Sequence, residues 1–169
     1  MTKKNIKTGI ALSGGGARGI AHVGVLKALE DYGIFPDYIS GASAGAIIGA
    51  FYAAGNTPDE IYQIVKKAEF AKMFKISILK PGILKLDYLW ELLKEKIKDD
   101  SFEALQKKFF VSVSNLNSGE YEIHGKGKLF RYVVASASIP IIFKPQIIDG
   151  NGRGYGRSLR LMPGWVSCM

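Results

Sequence analysis

Short apolar runs alternate with helical patterns through the first third of the chain. Residues 8–13 form an apolar run that predicts a buried strand, and apolar side chains then recur at helical spacing over residues 17–32. Residues 38–40 predict a second strand, which leads into an Ala- and Gly-rich helix over residues 44–54. Two strand-to-helix units in succession predict a parallel α/β core.

A capping box marks the start of the third predicted helix. Thr57 and Glu60 flank Pro58 at the first helical position, and this pattern predicts a helix over residues 58–73. Further along, the pattern predicts helices over residues 87–98, 100–108 and 129–138, and strands over residues 109–115, 120–124 and 146–148. We find no internal repeat and no linker.

The middle of the chain has a different composition. Residues 66–86 mix lysines with large apolar side chains and contain the breaker pair Pro81-Gly82. Ordinary core residues with solvated lysines are the simpler interpretation of this mixture. A lid, or a face that touches lipid, is the alternative.

Length and composition predict one domain. The chain has 169 residues, 47% of them hydrophobic, which is enough for one core and too short for two. We therefore interpret residues 1–169 as a single domain. The lone Cys168 cannot form an internal disulfide, and no apolar run near the N-terminus is long enough for a signal peptide or a membrane span. We accordingly expect a cytoplasmic protein, with peripheral contact to a membrane as a further option.

The chain is basic. Its formal net charge of +8 would suit a nucleic acid, an anionic lipid surface or an acidic partner. Charge alone does not choose among these, so the choice depends on the chemistry of the candidate site.

Ser43 is the candidate nucleophile. It stands in Gly41-Ala42-Ser43-Ala44-Gly45, where a predicted strand runs into a predicted helix. A sharp strand-to-helix turn that pushes a serine out into solvent crowds the residues two before and two after it, and glycines at 41 and 45 meet that demand. A helix that begins just after the serine also directs its N-terminal dipole and free N–H groups towards the reacting oxygen.

The tri-glycine segment after the first predicted strand is the candidate oxyanion hole. Gly14, Gly15 and Gly16 could supply backbone N–H donors, because a loop without side chains lets the backbone approach a ligand. Arg18 could brace this loop, contact an anionic headgroup, or form a plain salt bridge.

A serine needs a base to accept its proton. The chain offers two histidines, His22 within the first predicted helix and His124 in the predicted hairpin. The chain order Ser, His, Asp differs from that of α/β-hydrolases. A serine paired with an aspartate, with no histidine, is therefore the simpler proposal.

Three motifs carry a resemblance to a known family. They are Gly9-Ile10-Ala11-Leu12-Ser13-Gly14-Gly15-Gly16-Ala17-Arg18-Gly19 with His22-Val23-Gly24-Val25-Leu26, then Gly41-Ala42-Ser43-Ala44-Gly45, then Ala135-Ser136-Ala137-Ser138-Ile139-Pro140 with Phe143 and Pro145. In this order and spacing, over about residues 7–150, they resemble a bacterial patatin-like phospholipase or esterase.

The resemblance implies a fold and a chemistry. The fold is an α/β, three-layer α/β/α sandwich with a mainly parallel central sheet. The implied chemistry is hydrolysis of acyl esters in phospholipids, lysophospholipids or neutral lipids by a Ser–Asp dyad. We expect no metal and no cofactor in this reaction, and no nucleic acid as a partner. The implied oxyanion loop falls on Gly14, Gly15, Gly16 and Arg18.

The C-terminal segment departs from the family pattern. The family's catalytic aspartate belongs to an Asp-Gly-Gly or Asp-Gly-Ala motif, which follows a first Asp-Gly turn and a Tyr-Val-like strand. Asp149-Gly150 aligns with that first turn, and no acidic residue follows Tyr155. Asp149 is therefore the candidate base by position. We interpret the tail from about Gly156 as frameshifted or otherwise replaced, so we expect a domain that is truncated or altered after about residue 155.

Two other functions fit parts of the pattern. Gly14, Gly16 and Gly19 match the dinucleotide-binding template, although the second predicted strand ends in Ser40-Gly41 with no acidic residue for a ribose. A non-catalytic, lipid-binding relic of the hydrolase fold is the other alternative, because the expected aspartate motif is missing.

Overall fold

Six strands form one sheet. The computed structural model describes residues 7–67 and 87–138 in full, together with the backbone of Gln146–Asp149 and Ser158–Pro163. The strands are β1 (Gly9–Leu12), β2 (Tyr38–Gly41), β3 (Lys108–Asn115), β4 (Tyr121–His124), β5 (Gln146–Asp149) and β6 (Ser158–Pro163). The described helices are α1 (Ala21–Asp31), α2 (Ala44–Ala53), α3 (Pro58–Lys67), α4 (Asp87–Lys96) and α5 (Leu129–Ala137), and a 3-10 helix (Gly16–Ile20) precedes α1.

The strand order is β1-β2-β3-β6-β5, and β4 also pairs with β3. β1, β2 and β3 pair in parallel, whereas β4 and β6 are antiparallel to β3 and β5 is antiparallel to β6. Four strands, β1, β2, β3 and β5, therefore run in one direction. The α/β class with a mainly parallel sheet is confirmed.

α2 lies at the centre of the molecule. All ten of its residues are buried, and it packs against the sheet beside α5, while α1 and α3 contact its other sides. An added Cβ at Gly49 would lie 2.7 Å from the ring of Phe109 on β3. The small residues of this helix are needed because larger ones would push it away from the sheet.

The capping box at the start of α3 is confirmed. The Glu60 carboxylate accepts the Thr57 N–H at 2.8 Å, and the Thr57 hydroxyl accepts the Glu60 N–H at 3.3 Å. The predicted continuation of this helix to residue 73 lies outside the described residues. The same holds for residues 68–86 of the lysine-rich segment, so its interpretation as a lid or lipid-contacting face stays a prediction.

The prediction of a helix over residues 100–108 is wrong. The segment forms turns, and β3 already begins at Lys108. The N–H groups of Gln106 and Lys107 both donate to the carbonyl oxygen of Ala53, at 2.9 and 3.2 Å. Because these donors are used by the end of α2, they cannot form a helical ladder.

The predicted first helix begins as a 3-10 helix rather than as regular α-helix. The last strand, β6, was not predicted, because residues 158–163 fall in the tail that we interpret as replaced. Pairing with β3 and β5 gives this segment its strand conformation. Among the described residues, no helix is long and apolar enough to cross a bilayer.

Candidate active site

Ser43 lies in a strained turn between a strand and a helix. β2 ends at Gly41 and α2 begins at Ala44, and the backbone of Ser43 has φ 51° and ψ −119°. Within the described ranges, no other residue except glycine has a positive φ. Such a conformation costs about 1–3 kcal/mol and is found where the surrounding structure enforces it, often at functional sites.

The two glycines of the motif are crowded by backbone. An added Cβ at Gly41 would lie 2.6 Å from the Cα of Ala46, and one at Gly45 would overlap the carbonyl oxygen of Leu12. The Gly45 position also faces the carbonyl oxygen of Ser13, at 2.7 Å from an added Cβ. The crowding that the elbow argument requires is therefore present on both sides of Ser43.

The hydroxyl of Ser43 is not used to cap α2. Serine is a favoured N-cap residue, yet no side-chain capping bond forms at this helix start. The Ser43 N–H donates to the hydroxyl of Ser136 at 2.8 Å. Ser43 is buried, with 8% of its surface exposed, so the expectation of a serine pushed out into solvent is wrong: the turn is covered by the elements packed around it.

The glycine loop lies directly against Ser43. An added Cβ at Gly14 would be 3.3 Å from the Cβ of Ser43 and 4.0 Å from its hydroxyl oxygen. Gly14 and Gly15 are exposed, and their N–H groups have no hydrogen-bond acceptor among the described residues. The N–H groups of Gly16 and of the buried Ala44 likewise have no acceptor among the described residues. Ala44 is a further potential oxyanion donor, which the sequence motifs did not single out.

Gly16 and Arg18 belong to the 3-10 helix that follows the loop. The N–H of Arg18 donates to the carbonyl oxygen of Gly15 at 3.0 Å, so it is already engaged. The Arg18 side chain is exposed, and in the described part of the chain it forms no ion pair. The role of Arg18 in contacting an anionic headgroup therefore stays a prediction.

Neither histidine contacts Ser43. The Nε2–H of His22 donates to the carbonyl oxygen of Ser13 at 2.8 Å, which braces the start of the glycine loop. The Nε2 of His124 lies 2.8 Å from a carboxylate oxygen of Glu122, and its ring stacks on Tyr132 at 4.0 Å between centroids. Burial raises the pKa of the Tyr132 phenol. His22 therefore supports the glycine loop, whereas His124 packs against Tyr132, and neither ring hydrogen-bonds to Ser43.

Asp149 ends β5, and its side chain lies outside the described residues. Its backbone pairs with Ser158 at the start of β6, whereas Pro163 at the other end of β6 pairs with Val113. Ser158 and Pro163 are five residue steps apart along the strand, a distance of roughly 16 Å. The role of Asp149 as base stays a prediction.

The described ranges contain no cluster of three or more histidine, cysteine or acidic side chains able to hold a metal ion.

Comparison with known proteins identifies the family. The patatin-like phospholipase family matches residues 10–162. The chain belongs to the patatin-like phospholipase family. Lysophospholipase NTE1 of Yarrowia lipolytica is 33% identical over 159 residues, which covers 85% of this chain and 10% of that protein. A patatin-like phospholipase domain-containing protein of Caenorhabditis elegans is 34% identical over 161 residues, covering 84% of this chain and 12% of its own length.

Two bacterial structures share the fold of this patatin-like chain. VipD from Legionella pneumophila aligns with a TM-score of 0.60 at 17% identity, over 95% of this chain and 46% of that one. ExoU from Pseudomonas aeruginosa, in its complex with SpcU, aligns with a TM-score of 0.58 at 18% identity, over 80% and 39%. At these identities the similarity concerns the fold alone. Since the sequence relatives reported above are fungal and nematode proteins, they do not support the bacterial part of the resemblance.

The chain spans about a tenth of the length of the sequence relatives that it matches. The match to the patatin-like family favours the hydrolase interpretation of the glycine loop over the dinucleotide-binding one.

Proposed function

We propose that this chain is a serine acyl hydrolase of the patatin type, which cleaves ester bonds of phospholipids or other lipids with Ser43 as nucleophile and an aspartate as base. The observation that carries the proposal is the strained elbow at Ser43, whose hydroxyl caps no helix and lies beside the exposed glycine loop. The relatives named lysophospholipase support a lipid ester as substrate.

The proposed reaction has two halves. The Ser43 hydroxyl oxygen attacks the ester carbonyl carbon while its proton passes to the base, and the carbonyl oxygen becomes an oxyanion. The N–H groups of Gly14, Gly15, Gly16 and Ala44, which have no acceptor among the described residues, are the proposed donors to that oxyanion. Collapse of the tetrahedral intermediate expels the alcohol, which takes the proton, and water then hydrolyses the acyl ester on Ser43 with the same base. Loss of one oxyanion donor typically costs roughly a hundred- to a thousandfold in rate.

A fluorophosphonate probe tests the nucleophile, because it labels activated serines covalently. We expect the parent protein to be labelled and Ser43→Ala to be unlabelled, with hydrolysis of a lysophospholipid lost in parallel. Ser118→Ala, at an exposed serine in the turn between β3 and β4, is the matched control and should label like the parent. Labelling of folded Ser43→Ala at the parental rate would contradict the proposal.

A lipid-binding relic without catalysis is the second candidate. It is favoured by one observation: among the described residues, no carboxylate hydrogen-bonds to Ser43. A parent protein that is folded by circular dichroism, binds lipid vesicles and resists the probe would favour the relic.

We further propose peripheral contact with an anionic membrane surface, in the cytoplasm, on the basis of the net charge of +8. Cosedimentation with vesicles of anionic and of zwitterionic lipid tests this contact. Binding should favour the anionic vesicles and weaken as salt rises, because exposed charges are screened. Equal binding to both vesicle types would contradict it.

A further inference from the structure

Ser136 is linked to the nucleophile elbow by its side chain. Its hydroxyl accepts the Ser43 N–H at 2.8 Å and donates to the carbonyl oxygen of Ser112 at 2.8 Å. Because an amide N–H can only donate and a carbonyl oxygen can only accept, both roles of the hydroxyl are fixed. This single side chain therefore joins α5 and β3 to the residue that precedes α2.

The Ser43 N–H depends on this acceptor. β2 ends at Gly41, so Ser43 lies beyond the strand ladder, and the N–H groups at a helix start have no acceptor inside the helix. Ser136 is fully buried, and Ser43 is nearly so. Removal of the Ser136 hydroxyl would leave a buried N–H unpaired, which is costly.

Strain makes the contact important for the orientation of Ser43. A φ of 51° persists in a serine only where neighbouring groups hold it. The amide that Ser136 holds precedes the Cα of Ser43, so fixing that amide restricts the direction in which the Ser43 side chain points. A shift of about 1 Å in a reacting group can cost roughly a hundredfold in rate.

We propose that Ser136 is a positioning residue for the nucleophile. Its hydroxyl holds the amide of Ser43 and thereby keeps the Ser43 hydroxyl directed towards the glycine loop. The inference rests on the proposed function, because it assigns Ser136 a role only through Ser43. Ser136 itself does not touch the ester.

Ser138 provides a matched control from the same helix end. It is also fully buried, and its hydroxyl donates to the carbonyl oxygen of Val134 at 2.8 Å. It makes no hydrogen bond to the elbow in the described part of the chain. Ser136→Ala and Ser138→Ala each remove one buried hydroxyl, but only the first removes the contact with Ser43.

The test combines two measurements: the rate constant for labelling by a fluorophosphonate, and residue-resolved hydrogen exchange at the Ser43 amide. We expect Ser136→Ala to label roughly ten- to a hundredfold more slowly and its Ser43 amide to exchange about tenfold faster. Ser138→Ala should stay within about twofold of the parent in both. Ser136→Thr keeps the hydroxyl but adds a methyl group to a buried site, so it should label faster than Ser136→Ala even where it unfolds at a lower temperature.

The outcomes separate this proposal from the proposed function. Equal losses in Ser136→Ala and Ser138→Ala, or parental labelling of Ser136→Ala, overturn the positioning role. A folded parent that is not labelled contradicts the role of Ser43 as nucleophile instead. In that case, unchanged hydrogen exchange at the Ser43 amide in Ser136→Ala would also contradict the role of Ser136 in holding this amide. If Ser136→Ala does not fold, Ser136→Cys takes its place with the same expectation, because a thiol fills a similar volume and is a weaker hydrogen-bonding group.

Discussion

The elbow at Ser43 and the β5–β6 hairpin, which carries the candidate base Asp149, are specified in different ways. The elbow is built from neighbours in sequence: β2, the five-residue motif and α2 follow one another without a gap. The glycine loop reaches it because β1 pairs directly with β2, with Leu12 opposite Gly41. Gly41 is crowded by Ala46 within the elbow, and Gly45 by the Leu12 carbonyl group of the neighbouring strand β1, so one short pattern of small residues carries both requirements.

The hairpin depends on pairing between distant segments. β6 lies between β3 and β5, and its register decides which residue stands level with the elbow. Pro163 pairs with Val113 on β3, while Asp149 pairs with Ser158 at the far end of β6. A register is set by tertiary pairing, and a slip of one residue turns every side chain to the other face. The comparison teaches that the elbow is specified by a short sequence pattern, whereas the placement of the candidate base Asp149 depends on the pairing of distant strands.

The largest expected effect comes from filling the crowded space at the elbow with Gly45→Ala. The new Cβ would overlap the Leu12 carbonyl oxygen and press on that of Ser13, just before the glycine loop. We expect a loss of about 3 kcal/mol or more in the free energy of unfolding. In a domain of this size, thermal denaturation should then show a melting temperature lower by roughly 6 °C or more. Labelling by the fluorophosphonate should also slow, because the loop is displaced from Ser43.

Gly24→Ala is the control for that change. Nothing lies within 4 Å of an added Cβ at Gly24, which is exposed on α1. Alanine in a helix interior is favoured over glycine by about 0.5–1 kcal/mol, so this variant should be slightly more stable than the parent. If both variants shifted the melting temperature equally, local crowding would not be what specifies the elbow.

The next effect concerns the base, and Asp149→Asn measures it. If Asp149 accepts the proton of Ser43, kcat should fall roughly a hundred- to ten-thousandfold with little change in KM. Asp31→Asn, which removes an exposed aspartate paired with Lys27, should leave the steady-state kinetics unchanged. Parental activity in Asp149→Asn would show that Asp149 is not the base.

Pro163→Asp then tests the other end of β6, where Pro163 pairs with Val113 of β3. A gain of activity in this variant would show that the base belongs at that end of the strand.

The pattern of apolar residues predicted most of the described elements, because their signals lie within single segments. α2 and the Thr57 capping box are the clearest cases: one is marked by its run of small residues and the other by a three-residue spacing. The turns over residues 101–107 were mistaken for a helix because the N–H groups of Gln106 and Lys107 donate to the carbonyl oxygen of Ala53, which is distant in sequence. β6 was missed for the same reason, since its partners are β3 and β5.

The candidate site likewise contains residues that could be predicted from sequence and a contact that could not. Ser43 and its two glycines could be proposed from sequence, since steric crowding at such a turn restricts the residue types allowed. The contact of Ser136 with the Ser43 amide could not, because it joins residues 93 positions apart. The one signal in sequence was the small-residue motif around Ser136, which indicates close packing without naming the partner.

The smallest expected effect comes from a local motif outside both regions, the capping box of α3. The Thr57 N–H and then the Thr57 hydroxyl, both donating to the Glu60 carboxylate, hold its pKa below the ordinary value of 4.5. A carboxylate with a depressed pKa in the folded state contributes stability above its unfolded pKa, and that stability is lost as the pH falls through the folded pKa. Glu60→Gln should therefore lower the melting temperature slightly at neutral pH, and the difference from the parent should vanish as the buffer becomes acidic enough to protonate Glu60. Labelling of Ser43 should be unchanged, because the box lies in a separate part of the chain. A melting-temperature difference that grows towards acidic pH would show that the Glu60 charge does not stabilise this helix start.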